Sequence, residues 1–275
     1  MPAKRSTFNL GAVIVLGMFA WTSIAGGAVT PVTGWVVHNG TSTVGGTAAN
    51  PTFTAGDNIT LMAAFDPVVL VNDGDFITAT TTLTMNTRST TGVNTLNTQL
   101  RIGLFNGPAG AIVASDTNNL GFIIEYTNVV AGGLIREQTN SPVSQTNPFT
   151  SPTNIGNGSQ DTGADSIQGA NPGPVTFTLT LTRNAGKIDV TGFIGGTDAV
   201  SGNPYSASYS ALGYTPVATP FTFNRIGLLL GDGVNAASAS LANSSITTVP
   251  EPASLASAFL AAGGVLSLRR SRRRS

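Results

Sequence analysis

Val175-Thr176-Phe177-Thr178-Leu179-Thr180-Leu181-Thr182 alternates apolar side chains with threonines along its whole length. A period of two belongs to an extended strand, whose successive side chains point to opposite faces, so one face is buried and the other is coated with hydroxyls. The same pattern recurs around Phe76-Ile77-Thr78-Ala79-Thr80-Thr81-Thr82-Leu83-Thr84-Met85, with Ile77, Ala79, Thr81, Leu83 and Met85 on one side. Thr33 to His38, Ile59 to Phe65, Gln99 to Phe105, Phe122 to Tyr126, Lys187 to Phe193, Phe221 to Leu230 and Ala239 to Thr247 read as further strands. Asn184-Ala185-Gly186 between two of them reads as a hairpin turn, with glycine supplying positive φ. Short strands separated by Gly, Asn and Asp turns specify an all-β fold, a single β-sandwich. Gln138 to Pro174 breaks the regularity with five prolines and many Asn, Ser and Gly residues. It is expected to be a long surface excursion.

The ends of the chain read differently. Lys4-Arg5, an apolar run from Leu10 to Trp21 and a set of small residues follow the order of a secretory signal peptide. Cleavage fits after Ala25, with Ser23 at −3, or after Ala28, with Gly26 at −3. At the other end Val249-Pro250-Glu251-Pro252 precedes an apolar stretch, Ala253 to Leu268, and then Arg269, Arg270, Arg272, Arg273 and Arg274. As a helix that stretch is about 24 Å long, short of a ~30 Å hydrocarbon core, and spans it only with snorkelling arginines and local thinning. The positive-inside rule puts Lys4-Arg5 and the terminal arginines in the cytoplasm and everything between them outside. The domain boundaries are therefore 1–28 for the signal peptide, 29–248 for the sandwich and 249–275 for the tail.

Pro250-Glu251-Pro252, a short apolar helix and a terminal arginine cluster together resemble the PEP-CTERM sorting signal. The resemblance covers the last 27 residues. It implies recognition by a membrane-embedded processing enzyme of the exosortase type, cleavage near the motif and delivery to the cell surface, with only transient anchoring in the inner membrane. The partners implied are signal peptidase and that enzyme. A second resemblance lies in the sandwich: Leu100-Arg101-Ile102-Gly103-Leu104-Phe105, Thr182-Arg183-Asn184, Arg225-Ile226-Gly227-Leu228 and Ala239 to Ile246 are similar to strands of concanavalin-like or laminin-G-like jelly rolls. Ala242 stands where the last such strand often carries Asp, so no ligand contact is carried over there. Arg-Ile-Gly-Leu occurs at 101–104 and again at 225–228, which suggests two strands in similar environments.

Composition excludes much chemistry. Of 275 residues only 9% are charged, none is cysteine and one is histidine, against ~25% charged in an average soluble domain. Thiolate zinc sites, disulfides and cysteine nucleophiles are excluded, and His38 alone supplies no histidine-pair metal site. His38 follows Trp35-Val36-Val37 on a strand and reads as a packed or edge residue, with no Gly-x-Ser-x-Gly elbow to serve. Between 29 and 249 the only glutamates are Glu125 and Glu137, on separate segments, which is poor material for the facing carboxylates of a glycosidase. Asn72-Asp73-Gly74-Asp75 clusters carboxylates that could join a calcium site, but without the extended Asp-x-Asn-x-Asp-Gly loop and its distal Glu it reads first as a β-turn. Tyr205 and Tyr209, evenly spaced, with Tyr214 nearby, are the candidate glycan contacts. No metal, cofactor or nucleic-acid partner is expected.

The formal net charge of zero is a sum of unlike parts. Lys4, Arg5 and the five tail arginines leave six basic against twelve acidic residues between 29 and 249, a net charge of −6. The expectation is an exported, non-enzymatic cell-surface or extracellular-matrix protein, structural or adhesive in an exopolysaccharide or biofilm setting. The alternative is a carbohydrate-binding, lectin-like module, and a polysaccharide hydrolase is the third reading.

Overall fold

In a computed structural model, described for residues 27–54, 58–88, 99–114, 116–127, 133–139, 147–150, 152–160, 172–198, 202–231, 234 and 236–248, strands carry the whole architecture. Both terminal helices expected from the sequence lie outside the described residues, as does the sorting tail.

The strands are β1 (Ala28–Pro31), β2 (Val36–Asn39), β3 (Val44–Gly46), β4 (Pro51–Phe53), β5 (Ile59–Val69), β6 (Phe76–Arg88), β7 (Gln99–Asn106) and β8 (Leu120–Thr127). They continue with β9 (Leu134–Gln138), β10 (Thr153–Gln160), β11 (Pro172–Asn184), β12 (Lys187–Asp198), β13 (Pro204–Tyr214), β14 (Thr222–Leu230) and β15 (Ala236–Thr248). All pair antiparallel, in the order β2-β5-β14-β7-β8-β9-β10-β13-β12-β11-β6-β15-β4-β3, with β1 also on β15. The path folds into two layers at β10, which pairs β9 through Thr153–Asn157 and β13 through Gly158–Gln160. The first sheet runs β2-β5-β14-β7-β8-β9 and the second β13-β12-β11-β6-β15-β4-β3. β11 lies across from β7, β12 across from β8 and β13 across from β9. The result is a jelly-roll β-sandwich.

The alternation that decides the fold is realised directly. Val175, Phe177, Leu179 and Leu181 of β11 and Ile77, Ala79, Leu83 and Met85 of β6 are buried. They meet Leu100, Ile102, Leu104, Phe122, Ile124, Ile226 and Leu228 of the first sheet in one continuous core. Thr81 points inward with them. The register shift between Ala242 and Ser245 on β15 brings Ser244 in to meet it, hydroxyl to hydroxyl at 2.7 Å, so the buried polar pair is satisfied. The β11–β12 hairpin turns at Ala185 (φ 51°) and Gly186 (φ 76°), the left-handed pair that a two-residue hairpin needs. The Ala185 N–H donates to Asp73 Oδ1 at 2.7 Å.

The excursion expected over Gln138 to Pro174 contains β10, so part of it is sheet and not loop. Its Gly-Asn-Ser composition hid the strand, because β10 contributes chiefly backbone hydrogen bonds at the corner where the two sheets meet. β1 was likewise outside the expected strands. It pairs Ala28 with Thr248 through Pro31 with Ser245, and Val32 N–H donates to Ser244 O at 2.8 Å.

Candidate functional site

Tyr205 and Tyr209 do share one face of β13, but it is the inner one. Each is 3% exposed. Tyr209 Oη donates to the Glu125 carbonyl at 2.9 Å, and burial raises its phenol pKa above the ordinary range, helped by nearby Tyr126 and Glu125. Tyr214 packs edge-on against Phe122 and donates to Glu137 Oε2 at 2.6 Å. Of the three tyrosines expected as glycan contacts, Tyr205 and Tyr209 therefore face the core, and Tyr214 is half-buried beside Glu137. Alternation placed two of them together, yet it does not say which face of a strand is inward when the other face carries only serine.

The two glutamates occupy opposite faces of the first sheet. Glu137 pairs in register with the inward Phe122. Glu125 neighbours the inward Ile124 and so projects outward. A sheet separates them, so these two do not form the facing carboxylates of a glycosidase. Glu137 accepts from Tyr214 Oη and from the backbone N–H groups of Val217, Ala218 and Thr219. Burial alone would raise its pKa, but these donors outweigh burial and hold it below the usual carboxylate value. A carboxylate favoured in the folded state contributes stability above its unfolded pKa of about 4.3, and that contribution fades as pH falls through the lower folded value. Denaturant midpoints measured between about pH 5 and pH 3 should fall with pH in the parent chain and fall less in Glu137→Gln, which cannot titrate there.

On the outer face of the first sheet the recurring Arg-Ile-Gly-Leu segments lie side by side. Gly227 pairs with Gly103, Arg225 with Phe105 and Leu229 with Arg101, so the two copies are related by the local two-fold of an antiparallel pair. The glycines leave a trough. A Cβ at Gly103 would stand inside the Phe105 ring, and one at Gly227 would lie 3.2 Å from Phe149. Phe105 and Phe149 meet edge to face at 5.4 Å. With Met62, Ile123 and Leu229 they form a second, smaller core.

Each arginine of the recurring segments straps a covering loop. Arg101 donates to Phe149 O at 2.5 Å and pairs with Glu125, which Arg136 also contacts at 2.8 Å. Burial, opposed by Glu125 and reinforced by Arg136, pulls the Arg101 pKa down, though an arginine stays charged at any working pH. Arg225, 1% exposed, pairs with Asp116 at 2.8 Å and donates to Asn119 Oδ1 at 3.1 Å and Pro108 O at 2.6 Å. Asn224 and Gly107 exchange two further hydrogen bonds. This polar cluster is consumed in holding loops down. An open groove of about 340 Å³ beside it is lined by Phe65, Asp66, Pro67, Ala109, Gly110 and Asn224. The Asn224 amide is already engaged, leaving Asp66 as its one charged side chain.

No protein-family model matches the chain, and no curated protein matches it. Among solved structures it is similar to arcelin-5, a lectin-like defence protein from Phaseolus vulgaris, at 10% identity and a TM-score of 0.43, over 80% of this chain and 96% of that one. It is also similar to lectin I-B4 from Griffonia simplicifolia in its metal-free form, at 10% identity and a TM-score of 0.42, over 84% and 95% of the two chains. The metal-free carbohydrate recognition domain of Emp46p follows at 12% identity and a TM-score of 0.41, over 78% and 87%. The likeness is one of fold. The jelly-roll assignment rests on the strand pairing above.

Asn72 to Asp75 is the turn expected. Asp75 Oδ2 accepts from the Val71 and Asn72 N–H groups at 2.8 and 2.7 Å, and Gly74 has φ 90°. Among the described residues no three His, Cys, Asp or Glu side chains group as a metal site. His38 is buried on β2, an edge strand.

One side chain passed over in the sequence stands out. Phe193, 39% exposed, lies on the polar face of β12, where its parity mates are Asp189, Thr191 and Gly195. The signal was legible: an aromatic out of phase with Ile188, Val190 and Ile194.

Two features place the chain ends. Ala28 pairs with Thr248, and Thr248 pairs with Ile77 at the start of β6. β1 thus begins beside the end of β15, at the pole that carries the 72–75 turn and the 184–186 hairpin.

Proposed function

We propose that this protein is an exported, non-enzymatic surface component, delivered through its PEP-CTERM-like tail and serving a structural or adhesive role outside the cell. The observation that carries the reading is the adjacency of Ala28 and Thr248. The expected signal peptide ends at or just before the one, and Pro250-Glu251-Pro252 follows the other within two residues. If both apolar ends occupy the membrane during export, a domain held outside needs its two ends at one pole, and this one has them there. Glu125 and Glu137 on opposite faces, and arginines committed to loop straps, support the non-catalytic part. Intact-mass analysis of surface protein tests the reading: the mature species should lack both the signal peptide and the residues beyond about Glu251.

A carbohydrate-binding role is the second reading. It is favoured by the outer face of the second sheet, which carries hydroxyl groups over its central rows where most exposed sheets carry charge.

A further inference from the structure

The register of the second sheet aligns its outward side chains into rows that cross five strands. One row reads Ser210, Thr191, Thr180, Thr78, Thr247. The next reads Ser208, Phe193, Thr178, Thr80, Ser245, and a third reads Ser206, Gly195, Thr176, Thr82, Ala242. No position in these rows carries a charge, and every one except Phe193, Gly195 and Ala242 carries a hydroxyl. Neighbours within a row stand about 4.8 Å apart and the rows about 6.7 Å apart, so each row is on the order of 19 Å long. Thr78 and Thr180 hydroxyls meet at 2.8 Å across adjacent strands.

Phe193 sits in the middle row. A Cβ on Gly195 would approach its ring to 2.6 Å at Cζ and 3.0 Å at Cε1, so the ring is laid over the glycine along the sheet surface instead of standing off it. The absence of a side chain at Gly195 is what lets the ring lie down. An exposed aromatic face surrounded by hydroxyls is an arrangement with two complementary contacts for a sugar ring. The negative face of the ring attracts the C–H face of a pyranose, and hydroxyls donate to and accept from its rim.

We propose that this face binds a neutral polysaccharide chain laid along the hydroxyl rows, with Phe193 as the stacking centre. The inference rests on the carbohydrate-binding reading and gives it a place and a ligand class. Charge selects the class. The domain carries −6 overall and no cation on these rows, so an anionic polymer meets repulsion and no compensating partner. A neutral hydroxylated chain exchanges water for protein hydroxyls without the penalty of desolvating an ion. Length selects a polymer over a monosaccharide, because a single sugar covers Phe193 and leaves most of a row in water.

The test is depletion of the mature exported protein by microcrystalline cellulose and by insoluble mannan, with alginate as the anionic comparison. Retention on a neutral polymer, little on alginate, competition by long but not single-sugar ligands, and at least a tenfold loss in Phe193→Ala are expected. Thr80→Glu, which sets a charge in the same row without touching the core, should lose binding as well. Circular dichroism of both variants, matching the parent, separates lost contact from lost fold. Binding that persists undiminished in both variants overturns this face while leaving the carbohydrate reading intact. No retention on any polysaccharide overturns both. Self-association abolished by Thr80→Glu, without polysaccharide binding, assigns the face to a second copy and overturns the proposal.

Discussion

Glu125→Ala should unfold at a temperature on the order of 10 °C below the parent, a loss of about 3–5 kcal/mol. The carboxylate is 1% exposed and stands between Arg101 at 3.1 Å and Arg136 at 2.8 Å. Removing it leaves two guanidinium groups against each other beneath the 147–150 loop. Arg136, partly exposed, turns to water. Arg101 cannot do so without releasing Phe149 O. The size of the effect comes from the stranded charge and not from the attraction itself. The double variant Arg101→Met/Glu125→Leu should therefore recover most of the loss, since an apolar pair of similar volume replaces a buried ion pair at little cost. A double-mutant cycle by chemical denaturation reads the difference. Equal destabilisation in the single and double variants would mean that packing under the loop, and not charge, carries the effect.

Arg225→Ala should cost a similar amount, about 3–5 kcal/mol, with a different local signature. This side chain is the largest among the fully buried ones. Its loss strands the Asp116 carboxylate, the Asn119 amide and the Pro108 carbonyl together. It also leaves a void beside Gly107, where a Cβ would touch the arginine at 2.6 Å. Arg225→Met restores volume but none of the donors, so it should regain only a minor part. Limited proteolysis should cut first between Gly107 and Asn119 in both variants and not in the parent. Cleavage that begins elsewhere would show that the loop is held by something other than Arg225.

These two arginines also measure what the sequence made legible. The twice-occurring Arg-Ile-Gly-Leu pointed to similar environments, and pairing of Gly103 with Gly227 makes them neighbours in one sheet. That the arginines would be buried under loops was not legible, because the loops that cover them carry no periodic pattern. The β6 and β11 alternations were read correctly down to the inward Thr81. The faces of β13 were not: Tyr-Ala-Tyr against Ser-Ser-Ser fits either orientation until Tyr209 finds the Glu125 carbonyl across the core. β10 was not legible for a further reason: it contributes chiefly backbone pairing at a corner, and Gly156 and Gly158 carry no side-chain signal to read. Phe193 is legible in the sequence as an out-of-phase aromatic, but its meaning depends on Gly195 lying beneath the ring.

The ends of the described domain bear on the proposed route of export. β15, the last described strand, finishes at Thr248, two residues before Pro250. Loss of everything after about Glu251 would remove none of the described strands. Likewise β1 opens at Ala28, the last residue of the expected signal peptide. Under the proposed processing, trimming at both ends would leave the described strands in place but for Ala28 at most, and residues 29–249 carry a net charge of −6.

The measurement that bears most directly on that account is the intact mass of the protein taken from the surface of cells that express it. A species that begins within residues 26–29 and ends near Glu251 is the predicted result, with the full arginine tail accumulating in the membrane fraction when the processing enzyme is deleted. A mature surface protein that still carries Arg269 to Arg274 would contradict it.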